Sequence, residues 1–403
     1  MSKSKRKTKK ERREWIIFIV TVFLSGLYIF FGNKAANVNK IDYTMNYNTG
    51  TPQKAKVVAV LDDHYEKVMY PDFEVRDRVV LFEAKFSTGY RKGEIIQAIQ
   101  ATDSMYAVEQ RLVGVGDSVI LYLNQNLDAP NITYMFAEYN RIDFIKFLRV
   151  AFCILLLFFG RRNGVNTLVS LVFTIAAIFY VFIPAVLNGG NVYAWSISTC
   201  IYIILMTLMI ISGASRKSLA AMIGCASGVC VAGILTVLTD KLVHLTGLTT
   251  EDSMYLLFLN PENPIDLKAV VFAAIILGAV GAIMDVSMSL SSSLMELKEQ
   301  VGDMSSAQIT RSGMVVGRDI MGTMANTLIL AYIGSSLAVT LLLSAYNSHP
   351  LLLFNTEMIV VELLQAVAGS LGILLTIPLT SLVCGILYRS KTENTPRRED
   401  SRQ

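Results

Sequence analysis

Charge is scarce in this chain of 403 residues: Asp, Glu, Lys and Arg make up 17% of it, against about 25% in soluble domains. The shortfall is concentrated in one region. Positions 144–388 hold 23 charged residues among 245, about 9% against that norm. With 53% hydrophobic residues, such a composition excludes a disordered chain and an ordinary water-soluble globule. Proline is sparse, at 9 residues, which excludes a collagen. A net charge of +4 supplies no phosphate-tracking surface, so nucleic acid is not an expected partner. The five cysteines (Cys153, Cys200, Cys225, Cys230, Cys384) all lie in apolar segments. None falls in the polar stretch 33–143, which excludes a disulfide framework there. The histidines His64, His244 and His349 stand far apart and no CxxC occurs, so no metal site is expected. Walker A, HExxH and GxSxG patterns are missing as well, and neither an enzyme nor a bound cofactor is expected.

Long apolar runs take the place of these features. A bilayer core of about 30 Å needs roughly 20 apolar residues per helix. Eight stretches qualify: 15–32, 144–160, 164–187, 193–213, 218–238, 268–290, 320–346 and 357–388. The first, WIIFIVTVFLSGLYIFF, follows a basic run from Lys3 to Arg13. The residues after it, GNKAANVNK, match a small-x-small cleavage site poorly, so an uncleaved signal anchor is expected. Placing the N-terminus inside makes 1–14, 161–163, 214–217, the polar loop 291–319 and 389–403 the cytoplasmic pieces, which hold Arg161, Arg162, Arg216, Lys217, Lys298, Arg311, Arg318, Arg397 and Arg398. The outer loops 188–192 and 347–356 contain no Lys or Arg, and 239–267 contains only Lys241. Both termini are therefore expected to be cytoplasmic, in a multi-pass protein of the cytoplasmic membrane. The last span is too long for the core as one straight helix, and Gly369, Gly372 and Pro378 predict a tilt or kink. In the fifth, Ala220, Gly224, Gly228 and Ala232 form a small-residue ridge. It serves either packing within the chain or a dimer seam, so a homo-oligomer or a membrane partner stays open.

Residues 33–143 differ in kind. The runs KAKVVAVLD (54–62), RVVLFEAKF (78–86), EIIQAIQ (94–100) and SVILYLN (118–124) read as strands, separated by turns at Gly89, Gly93, Gly114 and Gly116. About five short strands in some 100 residues predict a small barrel or sandwich. The fold class is thus an α-helical polytopic membrane protein of about eight transmembrane helices. A small extracytoplasmic β-rich domain lies between the first and second. Its parts are a basic tail 1–14, a signal-anchor helix 15–32, the β-rich domain 33–143, a seven-helix membrane domain 144–388 and a tail 389–403. Asn131-Ile132-Thr133 fits a glycosylation sequon by letters only.

Ionisable residues inside a membrane span are costly and point to function. Asp285, in GAIMDVSMSLSSSL (281–294), lies 17 residues past Lys268, roughly 26 Å along a helix. Ser289 and Ser292 follow at i+4 and i+7 and share its face. Asp319, Thr323 and Asn326 repeat that spacing, with Gly322 beside them and Arg318 placed to pair with either carboxylate. The two stripes are expected to line one polar cavity, supplying oxygen ligands and a titratable charge to a proton or a cation. Against this, residues at a membrane edge such as Arg318 and Asp319 are ordinary helix-end features, and Ser and Thr also serve as interhelical contacts. Met284, Met288, Met321 and Met324 read as packing. Asp319 is too near the interface to pair with Asp285 as an intramembrane aspartyl protease. On the outer side, Glu262, Asp266 and Glu362 are candidates for an acidic mouth.

GAIMDVSMS (281–289) and SGMVVGRDIMGTMANTLILAYIGSS (312–336), with support from Pro184, Gly189 and GSLGILLTIPLTSL (369–382), resemble the YibE/F-like family of bacterial polytopic membrane proteins. The resemblance covers roughly 144–388. Asp285, Arg318, Asp319, Thr323 and Asn326 match its pattern. Val315 and Ala325 depart from it, at positions where a polar residue and a threonine are common. The resemblance implies architecture and membrane location without a defined activity. The expectation is a secondary transporter or permease for an ion or small solute that uses Asp285. The alternative is a membrane-anchored receptor or scaffold whose exported domain binds an envelope ligand or partner.

Overall fold

The structure is a computed structural model that describes residues 2–38, 40, 51–69, 74–102, 111–123, 134–249, 251–259, 263–346 and 349–389. The chain divides into two compact units: Met1–Asp42 with Leu156–Gln403, and Tyr43–Leu155.

In the smaller unit β1 (Gln53–Met69), β2 (Glu74–Phe86), β3 (Ile95–Thr102), β4 (Ser118–Leu123) and β5 (Tyr134–Tyr139) close a barrel in the order β1-β2-β3-β5-β4. Only the β3–β5 pair is parallel. Irregularities between Val57 and Ala59 and between Val60 and Asp62 bend β1, which lets one strand pair with both β2 and β4. Alternation decides which side chains fill the barrel: along β3, Ile96, Ala98, Gln100 and Thr102 point inward. They meet Phe82, Val119 and Leu121, none of which retains exposure. Among the described residues, Gln100 carries the one buried side-chain amide. Its Nε2 donates to the Arg111 carbonyl (3.1 Å) and its Oε1 accepts from Val113 N (2.8 Å). It supplies the partners that segment 111–113 would otherwise find in a strand. The expectation of a small barrel or sandwich therefore resolves to a barrel. β5 escaped the sequence reading because YMFAEY lacks β-branched residues. The sequon at 131–133 lies outside the described residues.

Two ion pairs brace the barrel surface. Arg78 makes a bidentate contact with Asp63, both bonds 2.8 Å. Arg91 does the same with Glu94 (2.7 and 2.5 Å), donates to Tyr134 Oη (2.7 Å) and lies over the Phe86 ring. The guanidinium hydrogen bonds hold both carboxyls below the usual carboxylate range.

The larger unit is helical. It comprises α1 (Ser2–Ala36), α2 (Ile142–Ala177), a π-helical turn (Ile178–Phe182), α3 (Ile183–Leu187), α4 (Val192–Ser212), α5 (Arg216–Val243) and α6 (Glu251–Phe258). It continues with α7 (Leu267–Val301), α8 (Ser306–Ser335), α9 (Leu337–Tyr346), α10 (Pro350–Asn355) and α11 (Glu357–Leu387); the first residues of α2 fall in the barrel unit. Among the described residues, six helices are long and apolar enough to cross a membrane: Arg12–Ala36, Ile142–Leu187, Val192–Ser212, Arg216–Val243, Leu267–Val301 and Glu357–Leu387. The second covers two of the expected stretches. It is 46 residues long and broken at Arg161, whose φ is 47° and ψ −124°. Gly164 there lies against the Leu156 carbonyl, eight residues back and about 12 Å away in a straight helix; the chain doubles back at the Arg161-Arg162 pair.

Two other expectations change. The polar stretch 291–319 is not a loop: α7 and α8 run through most of it and leave only 302–305 between them. A capping box at Ser305 and Gln308 starts α8, and Gly302, at φ 85°, ends α7. The 320–346 stretch is divided at Ser336 between α8 and α9. The last span forms a single helix, Glu357–Leu387, with Pro378 inside it.

The small-residue ridge of α5 is buried within the chain. Gly224 faces Thr380 of α11, and Gly228 faces Thr376 together with Ile283 of α7. At Gly228 close approach is possible because the Thr376 hydroxyl is satisfied in its own helix, its Oγ1 donating to Gly372 O (2.7 Å), whereas Thr380 Oγ1 has no hydrogen-bond partner among the described residues. Around this contact Ile283, Val286, Leu290, Ile373 and Ile377 form the core. At the N-terminal end, Tyr28 of α1 stacks on Tyr202 of α4 at 3.9 Å, and Asn33 Nδ2 donates to Tyr180 O (2.6 Å).

Three outcomes follow from this packing. Gln100→Leu strands the buried Val113 N–H, while the Arg111 carbonyl keeps its bond from Tyr139 Oη (2.9 Å), and lowers barrel stability by about 1–3 kcal/mol, measurable by denaturant titration of the detergent-solubilised chain; an unchanged midpoint contradicts the role given to Gln100. Gly228→Leu forces α5 away from Thr376 and costs about 1–3 kcal/mol, read as a lower thermal midpoint, and an unshifted midpoint contradicts the packing. Because the Asp63 and Glu94 carboxyls are depressed on folding, their stabilisation is complete above the unfolded value near about 4. It is lost as pH falls through the lowered folded values. Protease resistance of the barrel is expected to be flat from neutral pH to about 5 and to decline below, with Asp63→Asn/Glu94→Gln flattening the decline.

Candidate functional site

α7 begins at Asp266, whose carboxylate accepts from Ala269 N (3.1 Å) as the helix N-cap. That capping bond gives this expected outer-mouth residue a structural task. Between Lys268 and Glu296 the helix carries a single charge, Asp285. It stands 11 residues from Glu296, about 16 Å along the axis. Burial along α7 is sharply sided. Ile276, Ala279, Ile283, Val286, Leu290 and Leu294 are enclosed by the bundle, whereas Gly278, Gly281, Asp285 and Ser289 are exposed and Ser292 is half-buried. Asp285 and Ser289 thus share a face, and it is the one turned away from α5 and α11.

α8 is sided in the same manner. Gly313 and Gly317 lie against Ser381 and Ile377 of α11. Arg318, Asp319, Gly322, Thr323 and Asn326 are exposed on the opposite side. Thr323 Oγ1 donates to Ile320 O (2.9 Å), so its hydroxyl is engaged with its own helix. The structure thus sets the two polar stripes on outward faces of consecutive helices, and not around an interior space as the sequence led one to expect. Among the described residues, no salt bridge joins Arg318 to Asp285 or Asp319. Met284, Met288, Met321 and Met324 pack against the core.

Three sizeable cavities are formed by described residues of the helical unit, beside a pocket of about 10 Å³ at Asp240 and Lys268, and the two stripes line none of these four. One of about 480 Å³ between α4, α5 and α7 is walled by apolar groups such as Ile201, Ala226, Phe272 and Ile276. A second, of about 620 Å³, mixes Glu14, Trp15, Arg162, Asn166 and Lys217 with apolar residues of α4. Arg162 sits 3.7 Å from the Glu14 carboxylate and over the Trp15 ring. The third, about 170 Å³, includes the half-buried Glu362 with Gln365, Thr249 and Ser253. Glu262 lies outside the described residues. Asp266 and Glu362 are not brought together in any of these cavities.

Sequence reasoning missed two polar assemblies. Glu357, at the start of α11, accepts from Thr246 N (2.7 Å), Thr246 Oγ1 (2.7 Å) and Gly247 N (2.6 Å), fixing the segment after α5. Ser291 Oγ lies 2.6 Å from Tyr388 Oη and donates to Lys217 O (2.7 Å), tying α5, α7 and α11 together. The signal for the second was present: Ser287 and Ser291, at i and i+4, occupy the face opposite Asp285 and Ser289.

No curated protein and no solved structure matches the chain. The family model for YibE/F-like proteins matches residues 148–390, a span holding every helix from the Arg161 break to α11 and both polar stripes. The chain belongs to the YibE/F-like family.

Proposed function

We propose that this protein is a carrier or permease of the cytoplasmic membrane for an ion or small solute, with Asp285 as its coupling carboxylate. Eight crossings serve this reading: α1, the two arms either side of Arg161, α4, α5, α7, α8 with α9, and α11. Positive-inside sorting puts both termini in the cytoplasm. The observation that carries it is the lone carboxylate in the uncharged run 269–295 of a spanning helix, on a face with Gly278, Gly281 and Ser289. A carboxylate at that depth takes up a proton or holds a cation, because either neutralises a charge that lipid does not solvate. Ser289 and Asn326 offer further oxygen ligands at the same surface, and Arg318 offers a counter-charge that competes with the cargo.

A second reading has one specific observation behind it. The barrel is a compact unit with its own core, and its surface presents Tyr90, 94% exposed, beside the braced Arg91. Such a unit suits a receptor that binds an envelope ligand while the helices anchor it.

Reconstituted in liposomes, the wild-type chain is expected to support proton or cation flux that Asp285→Asn reduces at least tenfold, with Asp285→Glu retaining part of it. Undiminished flux in Asp285→Asn removes the carboxylate from this role. Deleting 40–140 separates the two readings: a carrier keeps residual flux, whereas a receptor loses all activity with the barrel.

A further inference from the structure

The outward polar face of α7 and α8 needs a cover that lipid tails do not provide, and we infer that the cover is the same face of a second copy of this chain. Three observations meet there. Asp285 and Ser289 of α7, a helix long and apolar enough to cross a bilayer, and Arg318, Asp319, Thr323 and Asn326 of α8, which packs beside it, are all exposed. Both helices also bare their backbone at this level, since a Cβ built on Gly281 or Gly322 meets nothing within 4 Å. That openness differs from Gly224, Gly228, Gly313 and Gly317, which are each filled by a neighbouring helix of the same chain. Small residues with free space beside them admit another helix at close range.

The third observation is charge complementarity, and it selects the occupant. Gly313 lies against Leu294, and Gly278 lies against the Tyr332 hydroxyl. These two contacts fix the relative depth of α7 and α8. Interpolation between them sets Asp285 level with Thr323, and sets Arg318 and Asp319 near Ser289, about 7 Å deeper along the axis. A two-fold axis along the membrane normal preserves depth, so each residue meets its own level in the other copy. Arg318 of one copy then stands opposite Asp319 of the other and within a side chain's reach of Asp285. No bond of this kind forms within one chain among the described residues. The face carries both signs, so it complements itself, whereas an apolar partner or lipid leaves two carboxylates and a guanidinium uncovered. The dimer goes beyond the carrier reading and does not depend on it: the pairing is required by where the charges lie, whatever is carried.

The test counts subunits of the full chain in liposomes at high lipid excess by single-molecule photobleaching. It is paired with oxidative crosslinking of Gly281→Cys and Gly322→Cys, with the wild-type chain and its five native cysteines as the baseline. Two-step bleaching and a new band at twice the 44.5 kDa chain mass in at least one variant are expected. Arg318→Glu is expected to shift the dimer–monomer balance at least tenfold toward monomer, and Arg318→Lys to hold it. One-step bleaching of the wild type overturns the proposal. So do dimers that neither cysteine captures, which place the seam elsewhere, and dimers indifferent to Arg318→Glu. Flux is read separately: a monomer that transports refutes the dimer alone, and a dimer without flux refutes the carrier alone.

Discussion

Lipid tails offer neither a hydrogen bond nor a counter-charge. A carboxylate at the centre of a spanning helix costs about 2.5–3.5 kcal/mol on insertion scales. α7 bears one within its otherwise uncharged run 269–295, and α8 adds an arginine, a second aspartate, a threonine and an asparagine on its own outward face. A chain selected only for stable insertion replaces such residues with leucine at no loss of packing, because none of them supports the interior. Their position outside the core makes them candidates for function, and it sets where protein, water or cargo must meet the helices.

The opposite side of α7 shows what a settled membrane interface looks like. There Ile283 and Val286 meet glycine and threonine surfaces of α5 and α11, and the Thr376 hydroxyl is satisfied within its own helix. Ser291, Tyr388 and the Lys217 carbonyl close one end of this interface, while Glu357 holds the segment after α5 near the other. α7 is thus braced along one face by α5 and α11 and left open along the other. A rigid back is what a polar face needs if its carboxylate is to keep a fixed depth while a ligand comes and goes.

Much of this was legible in the residues. Uncharged runs announced the spanning helices, alternation announced four strands, and the i, i+4 spacing put Asp285 and Ser289 on one face. What stayed hidden was which way that face points. Helical periodicity groups side chains but does not say whether a group looks at a neighbour or at the surroundings. A stripe of Gly, Asp and Ser reads the same in either place. The glycines show the difficulty well: Gly224 and Gly228 lie against α11 while Gly281 and Gly322 lie open, although both pairs occur among small residues at helical spacing. Other losses have local causes. The 291–319 segment looked like a loop because it is polar, yet Glu296, Lys298 and Glu299 are good helix formers and a capping box restarts the chain at Ser305. β5 lacked the β-branched residues that mark a strand, and its pairing with β3 and β4 comes from barrel closure.

The central claim is that the Asp285 face is covered by protein at membrane depth. Spin-label accessibility at Ser289→Cys in liposomes tests it most directly, with a label at Leu363→Cys, an exposed apolar position of α11, as the lipid-facing reference. A protein-covered face predicts collision with oxygen far below that at Leu363. Oxygen accessibility equal to that at the reference would show the face bathed in acyl chains and contradict the account.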